Sequence, residues 1–232
     1  YTLWHTLSLH DALPIFGCFS FHGQKNITTL GEGGMIVTSN NEYAENILGL
    51  RKIGQRPYEN KENYWLPAMS NVIEAVPGQV PYNFALGEIN AFAGHLLLKR
   101  LDEINRFRKE IYKNIISSLS LHSELKFQKI PGNCQSAYHL LPARFDGSAF
   151  GKNRDHLIDL LYTEYGIKCV VQYLPIYRYD LFQQHGYTKA DCPETDRFFD
   201  NMLSFPFGSD LTESEINYLI ESIDAAIVKL KG

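Results

Sequence analysis

A stripe of apolar residues that persists through residues 87–117 constrains this chain more than any other feature. Ile89, Phe92, Ala93, Leu96, Ile104, Ile111 and Ile115 recur at three-, four- or seven-residue multiples. Arg100, Asp102, Glu103, Arg106, Lys109 and Glu110 fill the other faces. That spacing predicts an amphipathic helix. It outruns the usual globular helix, so a bend or a bridge between two domains is expected. A polar break around Pro131-Gly132-Asn133 follows, which sets the expected domain boundary between residues 115 and 130.

The flanking segments predict alternating elements. Residues 35–38 read as a strand, and Asn40 or Asn41 can cap a helix running to about Lys52. Residues 54–81, rich in Pro, Asn, Tyr and Gly, read as a long irregular connection. Beyond the break, residues 136–145 and 168–173 read as strands, 153–165 as a helix closed by Gly166, and 194–202 as a short helix. A last helix opens at the capping box Thr212-x-x-Glu215 and carries Ile216, Leu219, Ile220, Ile223, Ile227 and Leu230 on one face. Beyond the break, the strand–helix–strand–helix order is that of a compact α+β domain.

Composition narrows the function. With 22 Lys and Arg against 26 Asp and Glu, the net charge is −4, which argues against a partner that offers a phosphate backbone. No apolar run reaches the roughly 18 residues that a bilayer requires. Cys18, Cys134, Cys169 and Cys192 are scattered, as expected for reduced thiols in the cytoplasm. The eight histidines show no ligand spacing, so no metal is expected. Residues 1–16 lack the basic start and cleavage site of a signal peptide. They begin with Tyr1 and are expected to be a leader unrelated to the rest.

The chemistry sits in residues 17–38. Lys25 falls between an apolar strand and a Gly-rich turn, Gly31-Glu32-Gly33-Gly34, that leads back into a strand. A partly desolvated lysine loses pKa, and its neutral amine can form a Schiff base. Ser20, five residues earlier, offers a hydroxyl to a nearby phosphate. On spacing alone, a surface lysine beside a Gly-rich hairpin is the favoured reading.

The wording of the segment goes further. Ser20-Phe21-His22-x-x-Lys25 followed by Gly31-Glu32-Gly33-Gly34 closely resembles the lysine segment of the DegT/DnrJ/StrS sugar aminotransferases. Pro81-Tyr82-Asn83-Phe84 with Gly87-Glu88-Ile89-Asn90-Ala91, then Tyr138-His139-Leu140, Gln172-Tyr173-x-Pro175, Cys192-Pro193 and Leu203-Ser204-Phe205-Pro206, resemble later blocks of that family in order. The resemblance covers residues 17–232 and implies the second part of a fold-type I aminotransferase. Residues 17–115 would complete a large pyridoxal-phosphate domain with a mostly parallel sheet, and residues 116–232 would form a small α+β domain. It implies pyridoxal 5'-phosphate as cofactor, held by Lys25, which then acts as general base and acid. Ser20 would serve the phosphate, and Asn83 would reach the phosphate of a neighbouring subunit, which makes a homodimer. A keto sugar would be the substrate and glutamate or glutamine the amino donor.

Two departures bear on the substrate. Ala85 stands where most members carry Arg, and Gln172-Tyr173-Leu174-Pro175-Ile176-Tyr177 replaces a His-Tyr-x-Pro-x-His run. These changes remove donors that could meet a sugar diphosphate. His22, Glu32, Tyr173, Tyr177 and Arg178 remain as candidate pocket residues, Arg178 as a compensating donor. The family's pyridinium-pairing acid and phosphate turn are expected upstream of residue 17. The competing expectations are a non-catalytic oligomerising fragment and a pyridoxal-phosphate sugar dehydratase. The dehydratase ranks lower because such relatives typically carry His where Lys25 stands.

Overall fold

The computed structural model describes residues 15–55, 76–187 and 190–232. Most of the irregular connection expected over residues 54–81, and residues 1–14 of the expected leader, lie outside the described residues. Two compact units divide between Asp102 and Glu103.

In the N-terminal unit, β1 (Gly17–Ser20) and β2 (Gly34–Val37) pair antiparallel, from Gly17 opposite Val37 to Ser20 opposite Gly34. The ladder runs on past the strands, with Phe21 N–H donating to the Gly33 carbonyl at 2.8 Å and Gly23 N–H to Gly31 at 2.6 Å. Leu30 at φ 64° and Gly31 at φ 133° reverse the chain; glycine takes the second of these without steric cost. The parallel pairing expected here is not found among the described residues. A hairpin joins its two strands directly, whereas parallel neighbours need a crossover.

Helix α1 (Asn41–Arg51) starts where its cap predicts, with the Asn40 side chain accepting Tyr43 N–H at 3.0 Å. Thr38 donates its hydroxyl to the Ile15 carbonyl at 2.7 Å, and Phe16 packs against Tyr43 with ring centres 5.3 Å apart. Residues 15 and 16, read above as part of the leader, are therefore attached to this unit.

The long stripe resolves into two helices, α2 (Glu88–Lys99) and α3 (Leu101–Ser118), parted at Arg100, whose N–H bonds back to the Leu97 and Leu98 carbonyls. The interruption falls within the segment expected to bend or to bridge two domains. The division between units falls earlier than residue 115 because Tyr112 and Ile115 of α3 belong to the core of the C-terminal unit and Arg108 bonds its Tyr138 and His139 carbonyls.

That unit is built on a three-stranded antiparallel sheet, ordered β3 (Leu125–Phe127), β4 (Leu141–Phe145), β5 (Met202–Phe205). Leu125 lies opposite Phe145, and Leu141 opposite Phe205. The expected strand over residues 136–145 begins only at Leu141, since Tyr138 holds φ at 48° and cannot continue a ladder. The expected strand over 168–173 shrinks to one bridge, Val170 to Ser204.

Around the sheet lie α4 (Arg154–Tyr165), α5 (Asp180–Gln184), α6 (Pro193–Asn201) and α7 (Glu213–Lys231). Asn153 caps α4, and Gly166 at φ 63° ends it. Leu119, Phe145, Leu157, Leu203, Ile223 and Ile227 are fully buried together. Cys169 lies in the same core, where burial pushes its thiol up to about 12; Cys18, Cys134 and Cys192 are exposed, and all four are free.

The capping box of α7 forms as its spacing predicts. Glu215 N–H donates to Thr212 Oγ1 at 3.3 Å, and Thr212 N–H to the Glu215 carboxylate at 2.8 Å. Thr212→Ala is expected to lower stability by about 1 kcal/mol in urea unfolding. These bonds hold the Glu215 carboxyl below its usual range, the Thr212 backbone N–H contributing most. A carboxyl depressed by folding stabilises above its unfolded pKa and loses that contribution as pH falls through the folded value. The cost of the substitution is therefore expected to shrink in acid.

Candidate active site

Lys25 lies in the bend that follows the β1 ladder. Its backbone N–H donates to the His22 carbonyl at 2.9 Å, closing a tight turn, and the residue is half-buried. Among the described residues no carboxylate pairs with its amine. Ser20 is exposed at the end of β1, and its oxygen accepts His22 N–H at 3.4 Å. That bond leaves the hydroxyl proton free to be donated to a ligand. His22 Nδ1 accepts Gln24 N–H at 3.2 Å, while Nε2 lies 3.6 Å from Glu32 Oε1.

The far limb of this loop is anchored by residues to which the sequence assigns no role. Thr29 is buried, donates its hydroxyl to the Glu32 carbonyl at 2.9 Å, and receives the Asn90 amide on its own carbonyl at 2.6 Å. A Cβ on Gly33 would strike Thr29 Oγ1, and one on Gly94 would come within 2.7 Å of the Thr29 methyl. The glycines of the Gly31–Gly34 run therefore serve packing as well as turning. Thr29 carries no recognisable signal in the sequence, because its importance arises from α2 closing on it.

Asn83 is exposed on an extended segment tied to the end of α1. It bridges Lys52, and Tyr82 N–H and Phe84 N–H donate to the Leu50 and Arg51 carbonyls, both at 2.8 Å. Tyr82 and Phe84 stack with ring centres 4.9 Å apart. Residues two apart share a face of an extended chain, which puts Asn83 on the opposite one.

In the C-terminal unit the candidate pocket residues meet α6. Tyr177 donates its hydroxyl to Asp196 Oδ1 at 2.9 Å. Arg178 pairs with Asp196, and with Asp200 at 2.8 Å, and lies over the Phe199 ring at 5.2 Å. The bond from Arg178 holds the Asp200 carboxyl below its usual range, while burial and then the Asp196 bond push the Tyr177 phenol up. Arg178, read above as a donor that could replace a lost arginine, has its guanidinium taken up by two carboxylates. Its partners could not be read from sequence, because they lie about twenty residues away on another helix. Tyr173 is 65% exposed.

Among the described residues no group of three His, Cys, Asp or Glu side chains could hold a metal, and no helix is long and apolar enough to cross a membrane.

A lysine presented by a hairpin, with helices around two sheets, is part of an α/β aminotransferase fold. The chain belongs to the DegT/DnrJ/EryC1/StrS aminotransferase family, whose model matches residues 12–224. The match takes in residues 12–16 of the expected leader. Among curated relatives, the spore coat polysaccharide biosynthesis protein SpsC of Bacillus subtilis is 28% identical over 219 residues, covering 88% of this chain and 52% of SpsC. The erythromycin biosynthesis sensory transduction protein EryC1 of Saccharopolyspora erythraea is 27% identical, covering 89% of this chain and 50% of EryC1. Helicobacter pylori PseC, an aminotransferase involved in pseudoaminic acid biosynthesis, superposes at a TM-score of 0.77 with 24% identity, covering 93% of this chain and 54% of PseC. Spr1654 of Streptococcus pneumoniae, in its PMP form, gives 0.79 with 23% identity, covering 95% of this chain and 55% of Spr1654. The chain thus spans about half the length of the relatives it matches.

Proposed function

We propose that this chain carries the lysine-bearing part of a pyridoxal 5'-phosphate-dependent sugar aminotransferase. It would transfer an amino group from glutamate or glutamine to a keto sugar, in cell-surface polysaccharide or secondary-metabolite biosynthesis. The carrying observation is Lys25, half-buried on a tight turn with no carboxylate partner among the described residues. The donor set present fits two ends of the cofactor: a primary amine for its aldehyde and the Ser20 hydroxyl, with a free proton, for its phosphate. Bound, the cofactor supplies an electron sink for the carbanion formed when the amino acid loses its α-proton.

The chain's own residues supply the rest. Lys25 Nζ would hold the cofactor and would serve as the group that takes and returns the proton. Ser20 Oγ–H donates to the phosphate. Asn83 reaches the phosphate of a second subunit, so the working unit is a homodimer, and the four free thiols suit the cytoplasm. The exposed stripe Ile89, Phe92 and Leu96 on α2 favours a second reading, an oligomerising chain without catalysis.

One experiment separates the two. The purified chain is incubated with pyridoxal 5'-phosphate, reduced with borohydride and digested. Visible absorbance and a labelled Lys25 peptide are expected, with both falling to background in Lys25→Ala. A colourless chain with Lys25 unmodified supports the second reading.

A further inference from the structure

The two ladder bonds beyond β1 and β2, Phe21 to Gly33 and Gly23 to Gly31, keep the strand register going. They place His22 directly opposite Glu32, as the non-hydrogen-bonded pair between two bonded ones. In such a pair the side chains approach most closely. One ring nitrogen of His22 is then hydrogen-bonded and the other has a carboxylate nearby. Nδ1 accepts the Gln24 N–H at 3.2 Å, so it must carry its lone pair there. A ring with one nitrogen accepting holds its proton on the other, Nε2, which faces Glu32 Oε1 at 3.6 Å.

We infer that His22 is a positioning residue for Lys25: a neutral imidazole, protonated on Nε2, whose Nδ1 pegs the turn from which Lys25 projects. This rests on the proposed role of Lys25 and assigns His22 no proton transfer with substrate. Gln24 N–H bonded to the ring, Lys25 N–H bonded to the His22 carbonyl and His22 N–H bonded to Ser20 Oγ fix the bend at three points. Glu32 acts from the opposite limb by favouring the Nε2–H tautomer. The phosphate-binding hydroxyl and the lysine are thereby set by one short run of backbone.

The test uses the full chain labelled with 15N-histidine. Long-range 1H–15N correlation is expected to show His22, assigned by its loss in His22→Asn, as the Nε2–H tautomer. A ring protonated on Nδ1 overturns the inference. His22→Phe, which keeps a ring but no acceptor, is expected to speed amide exchange at Gln24 about fivefold, the loss of one exposed hydrogen bond. It is also expected to slow borohydride-trapped labelling of Lys25 by pyridoxal 5'-phosphate. His22→Asn, whose side-chain oxygen can accept the N–H two residues on, is expected to restore both. Unchanged exchange and labelling in His22→Phe overturn the positioning role. If wild-type Lys25 is never labelled while tautomer and exchange behave as expected, the aminotransferase reading falls and the peg stands.

Discussion

Replacing Phe145 by alanine is expected to destabilise the C-terminal unit by about 3–5 kcal/mol. The ring is fully buried at the end of β4 and meets Phe150 edge-on, with centres 6.3 Å apart. Surroundings that can collapse soften such a loss, but these cannot. β4 is the middle strand, hydrogen-bonded to β3 on one side and β5 on the other, with Phe145 opposite Leu125. The hole left by the ring therefore stays open. A loss of that size consumes much of the roughly 5–15 kcal/mol that a domain commands. Urea unfolding followed by far-UV circular dichroism should show the C-terminal transition moving to much lower denaturant. Phe145→Leu, which refills part of the volume, should fall between the two. A shift worth less than about 1 kcal/mol would remove Phe145 from the core.

Arg108→Met is expected to cost about 2–4 kcal/mol, for a different reason. Arg108 sits on α3 with 7% of its surface exposed, its guanidinium donating to the Tyr138 and His139 carbonyls, both at 2.7 Å. It also lies over the Phe207 ring at 4.8 Å. Burial lowers its pKa, and Asp210 pulls the other way, so the charge is kept at some cost. Methionine recovers the packing but leaves two carbonyls without their donor, each worth about 1–3 kcal/mol. Arg108→Lys separates the contributions, since an ammonium cannot present the planar fork that reaches both carbonyls at once. It should lose about half as much. Amide exchange along residues 136–140 should rise in both variants, and an unaltered exchange pattern there would show that the clamp holds nothing.

The same clamp explains where sequence reasoning reached and where it stopped. Local chemistry was legible: Asn40 caps its helix, Gly166 closes α4, Thr212 and Glu215 form their box, and the lysine segment folds back as a hairpin. In each case the causes lie within a few residues. The strand expected from residue 136 fails to form at its start because the chain turns at Tyr138, where a side chain from α3, thirty residues away, bonds its carbonyl and that of His139. The break at Arg100 was legible only as excess length, because the apolar period runs through it unbroken. β3 is three residues long, too short to show a period. For the candidate site, the roles of Lys25, Ser20 and Asn83 are those proposed above, and the motif around them was legible. The Thr29 and Asn90 contacts and the pairing of Arg178 with α6 were not, since tertiary packing alone creates them.

Thr29 occupies the space that a Cβ on Gly33 or Gly94 would need. Positions 29, 33 and 94 thus share a single fixed volume, although one lies in a loop, one before a strand and one in a helix. In a combinatorial library they would behave as one letter of the alphabet, not three. Alanine at 33 becomes acceptable only when residue 29 gives up its branch, and surviving clones would show the three changing together. The lysine loop is therefore evolvable at its exposed tip, around Leu30, and locked at its base.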